Sequence, residues 1–420
     1  MAIATRNSGA TGVENSTEVE TATPPPKSTT NSDRSRPTIK KLSADAVIVG
    51  AGVTGLILAM KLGRLGVKVV LLEIAAQLCS GPSTRNEGWL HNGTYHATSI
   101  DDREDAVQVA RRCRYGHDQL LRFAPGAIED IQRPAFALLK DESRAEEVMS
   151  RWDEAEVPYT PIDLQSVSRA VPNADLTAAP VAFQVWDKSI HTPMLYSQLH
   201  SECTRAGVQI ITEAELTRRD GHNVIEVNGQ AEAVVDARVV VYTAGYGLKS
   251  LLDDLDIAIP IRFWKSHLLV LPRLSQYGLF YLDKGEAAMM NHDKCSIVGI
   301  NDDAREVDKP DFNPDPEGIS AVKTSLLSLF PKASLSDCLE IGCTKIDVLD
   351  PMALNVDRSL NFAYGEPLKN HFWFVPGKMT EAPYITDVAT QLLFSRIHGP
   401  DHIVAERPCD VWAREMEERI

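Results

Sequence analysis

The run Gly50-Ala51-Gly52-Val53-Thr54-Gly55 follows the apolar stretch AVIVG and leads into Leu56 to Leu65, whose apolar spacing is helical. Strand, tight turn and helix in that order make a diphosphate site. Gly50 permits the turn, Gly52 lets backbone approach the phosphates, and Gly55 lets the helix pack on the strand. The helix start, with Val53 and Thr54, offers unpaired N–H groups and a positive dipole end. A second strand, VKVVLLE, ends in Glu73, 18 positions beyond Gly55. A carboxylate there accepts hydrogen bonds from both ribose hydroxyls and repels a 2′-phosphate, which disfavours NADP. NAD and FAD share this fingerprint, so other segments must decide between them. STRNEGWLHNGTYH, residues 83–96, follows directly, where a loop would cross toward the cofactor. Its Gly88 and Gly93 permit close backbone approach to a flat ring, and Arg85 and Asn86 can donate hydrogen bonds to ring or substrate oxygens.

The elements that must position these residues read as α/β. Val224-Ile225, an Asn228-Gly229 turn and AVVDARVVV form a hairpin that feeds VVVYTAGYG, residues 239–247. The segments IRFWKSHLLVL, GLFYL, EAAMMN and CSIVGI supply strands of a second sheet. A nucleotide domain is therefore expected over 43–125, 190–255 and 345–410, with a substrate domain around an antiparallel sheet over 126–189 and 256–344. Residues 1–42, rich in Ser and Thr with Pro24, Pro25 and Pro26, read as a disordered tail. An organelle-targeting reading of the tail is disfavoured by Glu14, Glu18 and Glu20. The net charge of −15 argues against a nucleic-acid surface, because phosphates call for clustered positive charge. Seven scattered cysteines without a Cys-x-x-Cys pair indicate neither a disulfide framework nor a metal site, and fit a reducing cytoplasm. No apolar run reaches the roughly 18 residues of a membrane span.

The pattern Arg85-Asn86-x-Gly88-x-Leu90-His91-x-Gly93-x-Tyr95 resembles the segment after the fingerprint in the FAD-dependent D-amino-acid-oxidase (DAO) superfamily. The likeness is greatest to the branch of L-2-hydroxyglutarate dehydrogenase and glycerol-3-phosphate dehydrogenase. The resemblance implies a Rossmann-like FAD-binding domain of the glutathione-reductase type beside a substrate domain. It places Ser83, Thr84, Arg85 and Asn86 along the ribityl and ring portion of FAD, with Gly88 among the cofactor contacts and His91 near the reactive face. Ala244 and Gly245 match a family pair beside the diphosphate. Gly377-Lys378-Met379-Thr380, between an aromatic strand and a helix, matches a Gly-Lys-x-Thr segment at the flavin pyrimidine edge. A positive helix end or Lys378 there would stabilise the negative charge that two-electron reduction builds. The sequence departs from the hydroxyglutarate pattern at Glu87, Trp89 and His96.

Oxidising a C–H beside an OH or NH requires a proton acceptor of near-neutral pKa. His91 is the first candidate, with a pH dependence expected near the ordinary histidine value of about 6.5. His267, in IRFWKSHLLVL, is the reserve; Tyr95 and His96 are expected in the pocket, and Lys378 as an aid to oxygen reduction or a holder of a substrate carboxylate. Trp186 and Trp264 read as core. The expected activity is hydride transfer to flavin N5 from a small hydroxy acid or polyol, passed on to oxygen or a carrier. An amine or amino-acid substrate is the alternative, and a flavin binder without turnover is the second. Purified protein should be yellow with one FAD per chain, and Gly52→Leu should abolish that colour; a colourless protein that takes up NAD tightly would contradict the assignment.

Overall fold

The computed structural model describes residues 40–219, 221–301, 303–349 and 358–399. The strand Lys40–Val49 is central because it can be buried on both faces: Ala46, Val47 and Ile48 are fully inaccessible, and such a strand reads as an unbroken apolar run. It pairs in parallel with Val69–Leu72 on one side and with Gln230–Tyr242 on the other. The sheet runs in the order Ala214–Arg219, His222–Val227, Gln230–Tyr242, Lys40–Val49, Val69–Leu72, Gln209–Ile211. His371–Val375 joins Gln230–Tyr242 in parallel, and Ala363–Leu368 lies antiparallel on it. Asn228 (φ 50°) and Gly229 (φ 74°) close the hairpin, as a two-residue loop with both φ positive requires. Lys40 to Leu42, read above as tail, extend the central strand by pairing with Ala233 to Val235. The rest of the predicted tail, and residues 400–410 of the predicted nucleotide segment, lie outside the described residues.

The second sheet holds the strands expected of it. Its order is Arg305–Val307, Ile261–Pro272, Cys295–Ile300, Ala287–Asn291, Leu279–Tyr281, Ala135–Leu139, Val181–Val185, Tyr159–Ile162, with Leu339–Val348 along the whole of Ile261–Pro272. Pairing is antiparallel except where Leu279–Tyr281 meets Ala135–Leu139. The helix Pro316–Leu329 covers one face through Ile319, Val322, Leu326 and Leu329. This is the α/β architecture with a Rossmann-like sheet and a second sheet that the sequence called for. Among the described residues no helix is long and apolar enough to cross a membrane.

Three helices are locked together in the interior. Lys61 of the helix Val53–Arg64 is 1% exposed, and its ammonium donates to Asp387 Oδ1 (2.9 Å), Thr386 Oγ1 (2.7 Å) and the Pro383 carbonyl (2.8 Å) of the helix Ala382–His398. Asp387 Oδ2 accepts from the Tyr115 hydroxyl (2.6 Å) of the helix Arg103–Phe123. Lys61→Met strands a buried carboxylate and should cost about 3–5 kcal/mol in urea denaturation. The double variant Lys61→Met/Asp387→Leu should recover much of that loss, and an unchanged midpoint in the single variant would deny the pair its role.

Candidate active site

A cavity of about 930 Å³ is lined by loops leaving the first sheet and by strands of the second. Gly50, Gly52, Val53, Thr54, Glu73, Ala244 and Gly245 are among the residues that line it. Gly50 has φ 104°, and a Cβ there would lie 2.7 Å from Ala244 Cα. Gly55 does not reach the cavity; a Cβ on it would strike the Gly50 carbonyl oxygen, so it sets the helix against the turn. The N-cap Gly52 offers the helix no side chain, and Val53 N–H donates only a long bond, 3.3 Å, to Ser83 Oγ. This helix start is thus a fit receptor for an anion. Glu73 lines the same cavity, its carboxylate accepting from Ala51 N–H (2.9 Å) and Ala75 N–H (3.0 Å).

The 83–96 segment divides between wall and support. Ser83 and Asn86 line the cavity, whereas Thr84 donates to the Cys79 carbonyl (2.8 Å) and the exposed Arg85 stands 5.0 Å over the Phe312 ring. Gly88 lies behind the wall against His292, its N–H bonded to Asn86 Oδ1 at 2.8 Å. His91, Tyr95 and His96 line the cavity too, as do Gly377, Lys378 and Met379. Thr380 stands outside it and accepts from His91 N–H at 3.2 Å. The His91 ring packs 4.3 Å from Trp89 and 4.4 Å from His96.

Burial, and then the charges of Lys378 and Lys345 and the neighbouring His117, push the His91 pKa well below 6.5. Burial followed by Lys378, His91, Arg358 and Lys345 does the same to His96. The pH dependence expected near 6.5 is therefore corrected downward: His91 stays a neutral proton acceptor in more acidic solution. Burial opposes ionisation of Glu87, yet Lys345, its own backbone N–H, Lys378 and Arg358 hold its carboxyl below the usual range. Glu87, Lys345, Arg358 and Lys378 all line the cavity, with Lys345 Nζ 4.0 Å from Glu87 Oε1.

Two supports escaped the sequence reading. Asp187 is buried beneath the histidine loop and accepts from Trp89 Nε1 (2.8 Å), Asn92 N–H (3.2 Å) and the Thr94 hydroxyl. Its burial, against these bonds and the nearby His117, raises its pKa. Glu381 accepts from Lys378 N–H (3.1 Å) and Arg112 Nε (2.8 Å), fixing the Gly377–Thr380 turn; burial raises its carboxyl too, against the pull of Arg112. No motif marks either acid.

His267 does not line the cavity. Along Ile261–Pro272 alternate side chains face opposite ways, and His267 shares its face with Lys265, its Nε2 2.7 Å from an Asp315 carboxylate oxygen. Trp264 and Ser266, on the other face, line the cavity. The core reading of Trp264 is thus incomplete, and Trp186 is 36% exposed with Lys188 Nζ 4.8 Å over its ring. Period-two alternation would have paired Trp264 with Ser266 and set His267 apart. Lys345 and Arg358 carry no motif, and only cross-strand register or chain closure brings them in.

Residues 45–380 match the family of FAD dependent oxidoreductases, DAO. One subunit of the anaerobic glycerol-3-phosphate dehydrogenase of Escherichia coli K12 is 27% identical over 281 residues, 63% of this chain and 50% of that protein. The chain thus spans about half the length of this curated relative. In fold it is similar to the L-proline dehydrogenase of P. horikoshii (TM-score 0.67, 16% identity, 91% of this chain and 99% of that one). It is also similar to the FAD-bound L-alpha-glycerophosphate oxidase of Mycoplasma pneumoniae (TM-score 0.66, 16% identity, 84% and 95%). FAD fits the residues present: the cradle at Gly50 admits no side chain, and an uncapped helix start faces the same cavity.

The two depressed imidazoles also set a stability slope. Unfolded histidines protonate near 6.5 while His91 and His96 in the folded chain do not, so the unfolded state gains protons as pH falls through that value and stability drops. Each group contributes up to about 1.4 kcal/mol per pH unit. Urea midpoints measured between pH 7.5 and 5.5 should decline less steeply for His96→Gln than for the parent protein; identical slopes would contradict a buried neutral His96.

Proposed function

Because the chain belongs to the FAD-dependent oxidoreductase family, we propose that it oxidises a small hydroxy acid or polyol-type substrate, moving hydride from the C–H beside a hydroxyl to flavin N5. One observation supports this reading above others: a neutral imidazole, His91, shares a cavity with the dinucleotide loop and with the side chains of Lys345, Arg358 and Lys378. A neutral base beside cations suits an anionic alcohol, whose hydroxyl must give up its proton while its acid group stays ionised.

In this reading Gly50 to Thr54, with Ala244 and Gly245, hold the diphosphate, and Glu73 holds the adenosine ribose. Ser83, Asn86 and the Gly377–Met379 turn hold the ring portion, with Gly55, Thr84, Arg85, Gly88 and Thr380 as their supports. When bound, the flavin supplies a two-electron acceptor. The half-buried His91 ring, which lines the cavity, is suited to receive the substrate proton, and Thr380 fixes the backbone that carries it. Lys345 and Arg358 hold the anionic end of the substrate, and Lys378 supports the charge that develops at the ring edge. Tyr95 closes the pocket behind the two imidazoles. The first sheet with its helices is the nucleotide-binding part of this scheme and the second sheet the substrate-binding part. The electron acceptor is oxygen or a carrier, and a cytosolic setting completes the reading.

Anaerobic challenge with hydroxy acids, sugar alcohols and amino acids should bleach the flavin fastest with a hydroxy acid or polyol. Fastest bleaching by an amino acid would favour the amine reading, and none by any compound a binder without turnover. His91→Asn should keep FAD and slow reduction by about 10²–10⁴-fold, the scale for losing a general base. The parent rate should hold steady down through pH 6.5 before declining, and a rate midpoint at or above 6.5 would remove neutral His91 from the mechanism.

A further inference from the structure

Glu87 is the acid of the RNEGWLH run, and its backbone is held from both sides. Its carbonyl accepts from His292 Nε2 (3.0 Å), and His292 Nδ1 is in turn hydrogen-bonded to the Glu129 carboxylate. The next residue, Gly88, has φ 61°, donates to Asn86 Oδ1 (2.8 Å) and accepts from Ile190 N–H (2.8 Å). A Cβ on Gly88 would lie 2.5 Å from His292 Cε1, so the turn has no room for a side chain. The Glu87 side chain so anchored reaches the second sheet. A Cβ at Gly299 of Cys295–Ile300 would lie 3.3 Å from Glu87 Oε1, and Lys345 Nζ stands 4.0 Å from the same oxygen. Glu87, Gly299 and Lys345 all line the cavity, and the Glu87 and Lys345 side chains are 24% and 23% exposed.

A separation of 4.0 Å lies beyond hydrogen-bond reach, so the pair attracts without closing, and both heads keep surface that a ligand can touch. Despite burial, Lys345 and then the loop's own backbone hold the Glu87 carboxyl below the usual range, so it is ionised at neutral pH. An anionic group bound by Lys345 therefore stands close to a fixed negative charge. A second charge on that group doubles its attraction to Lys345 but doubles its repulsion from Glu87 as well. Taking the group out of water meanwhile grows costlier with the square of its charge. Arg358 and Lys378 also line the cavity and attract either kind of anion, so Glu87 acts on the difference between them.

We propose that Glu87 sets the charge of the substrate's acid group at one, so that the cavity takes a hydroxy acid bearing a carboxylate in preference to a hydroxylated phosphate ester. This rests on the oxidoreductase reading above, and it deepens that reading by naming the acid group. Binding, read apart from turnover, separates the two. Dithionite-reduced holoprotein, freed of excess reductant, takes up no further electrons, so ligand affinity can be measured on it by calorimetry at pH 7.5. The probes are glycerate, 2,3-dihydroxypropane-1-sulfonate and glycerol 3-phosphate. The first two are monoanions, planar and tetrahedral, and the tetrahedral ester is mostly a dianion, its second pKa being about 6. The parent protein should bind either monoanion at least about tenfold more tightly than the ester. Glu87→Gln should keep FAD and raise the ester-to-sulfonate affinity ratio at least about tenfold, the scale for removing one adjacent like charge. Glu87→Asp, which keeps the charge, should hold that ratio within about threefold of the parent's. The charge of the reduced ring is common to all these proteins and cancels in the comparison. Should Glu87→Gln lose FAD, Glu87→Ala is read in its place. An ester bound by the parent as tightly as either monoanion, binding of none of the probes, a ratio unmoved by loss of the charge, an equal rise in Glu87→Asp, or loss of FAD from both neutral variants would overturn the assignment; the last would make Glu87 a support of the cofactor. If the ratio behaves as expected while no compound bleaches the oxidised flavin, Glu87 stands as the charge selector and the oxidation reading fails. Bleaching by glycerate with an unmoved ratio does the reverse.

Discussion

The Lys61–Asp387 pair is the contact on which the site's geometry rests. Both groups are inside the protein, where an isolated charge is strongly disfavoured, so each must find the other and fill its remaining hydrogen-bond positions. The Thr386 hydroxyl, the Pro383 carbonyl and the Tyr115 hydroxyl complete the set. The helix that starts at the diphosphate turn is thereby fixed against the helix that starts just beyond Lys378. Just before that helix, Arg112 and Glu381 repeat the device, and Glu381 accepts from Lys378 N–H. The first contact thus joins two helices that are more than 300 residues apart in sequence, since Lys61 and Asp387 are separated by 326, and the second ties the turn before Ala382–His398 to the helix Arg103–Phe123.

The second constraint is the pleat of Ile261–Pro272. Because side chains alternate, this one strand faces the cavity with Trp264 and Ser266 and faces the helix Pro316–Leu329 with Lys265 and His267. Its partner Leu339–Val348 runs antiparallel in a register that puts Lys345 opposite Trp264 and Asp347 opposite Arg262. A slip of one residue would exchange the two faces and put His267 where Ser266 now stands. The length of the ladder, from Ile261 paired with Val348 to Val270 paired with Leu339, holds that register firmly.

What could be read in the sequence follows from which signals are local. Gly50, Gly55 and Glu73 are legible because a turn, a helix start and a ribose acid recur at near-fixed spacing within one short unit. The Asn228-Gly229 hairpin is legible because few dipeptides accept two successive positive φ values. His91 and Tyr95 were reached through resemblance of a loop. Asp187 and Glu381 were not legible: a buried acid is recognised by the donors around it, and those arrive from Trp89, Thr94 and Arg112, distant in the chain. Lys345 and Arg358 failed for the same reason. His267 was favoured for its residue type, although the period-two pattern already separated it from Ser266. The depressed pKa of His91 depends on burial and on Lys345 and Lys378, which no local window contains.

The parallel pairing of Lys40–Val49 with Gln230–Tyr242 has a consequence for the order of events as the chain collapses. The central strand finds its neighbour Val69–Leu72 through the crossover helix Val53–Arg64, but its other edge waits for residues 230–242, and the far edge of that strand beyond its hairpin, residues 240–242, waits for His371–Val375. Closing such long loops loses chain entropy before any contact compensates it, so these pairings form late and slowly. Until the last of them closes, an apolar parallel strand edge stands open, and it can template pairing with another chain. Folding of this protein is therefore a contest between intramolecular closure by residue 375 and intermolecular capture of the same edge, with dilution favouring the first.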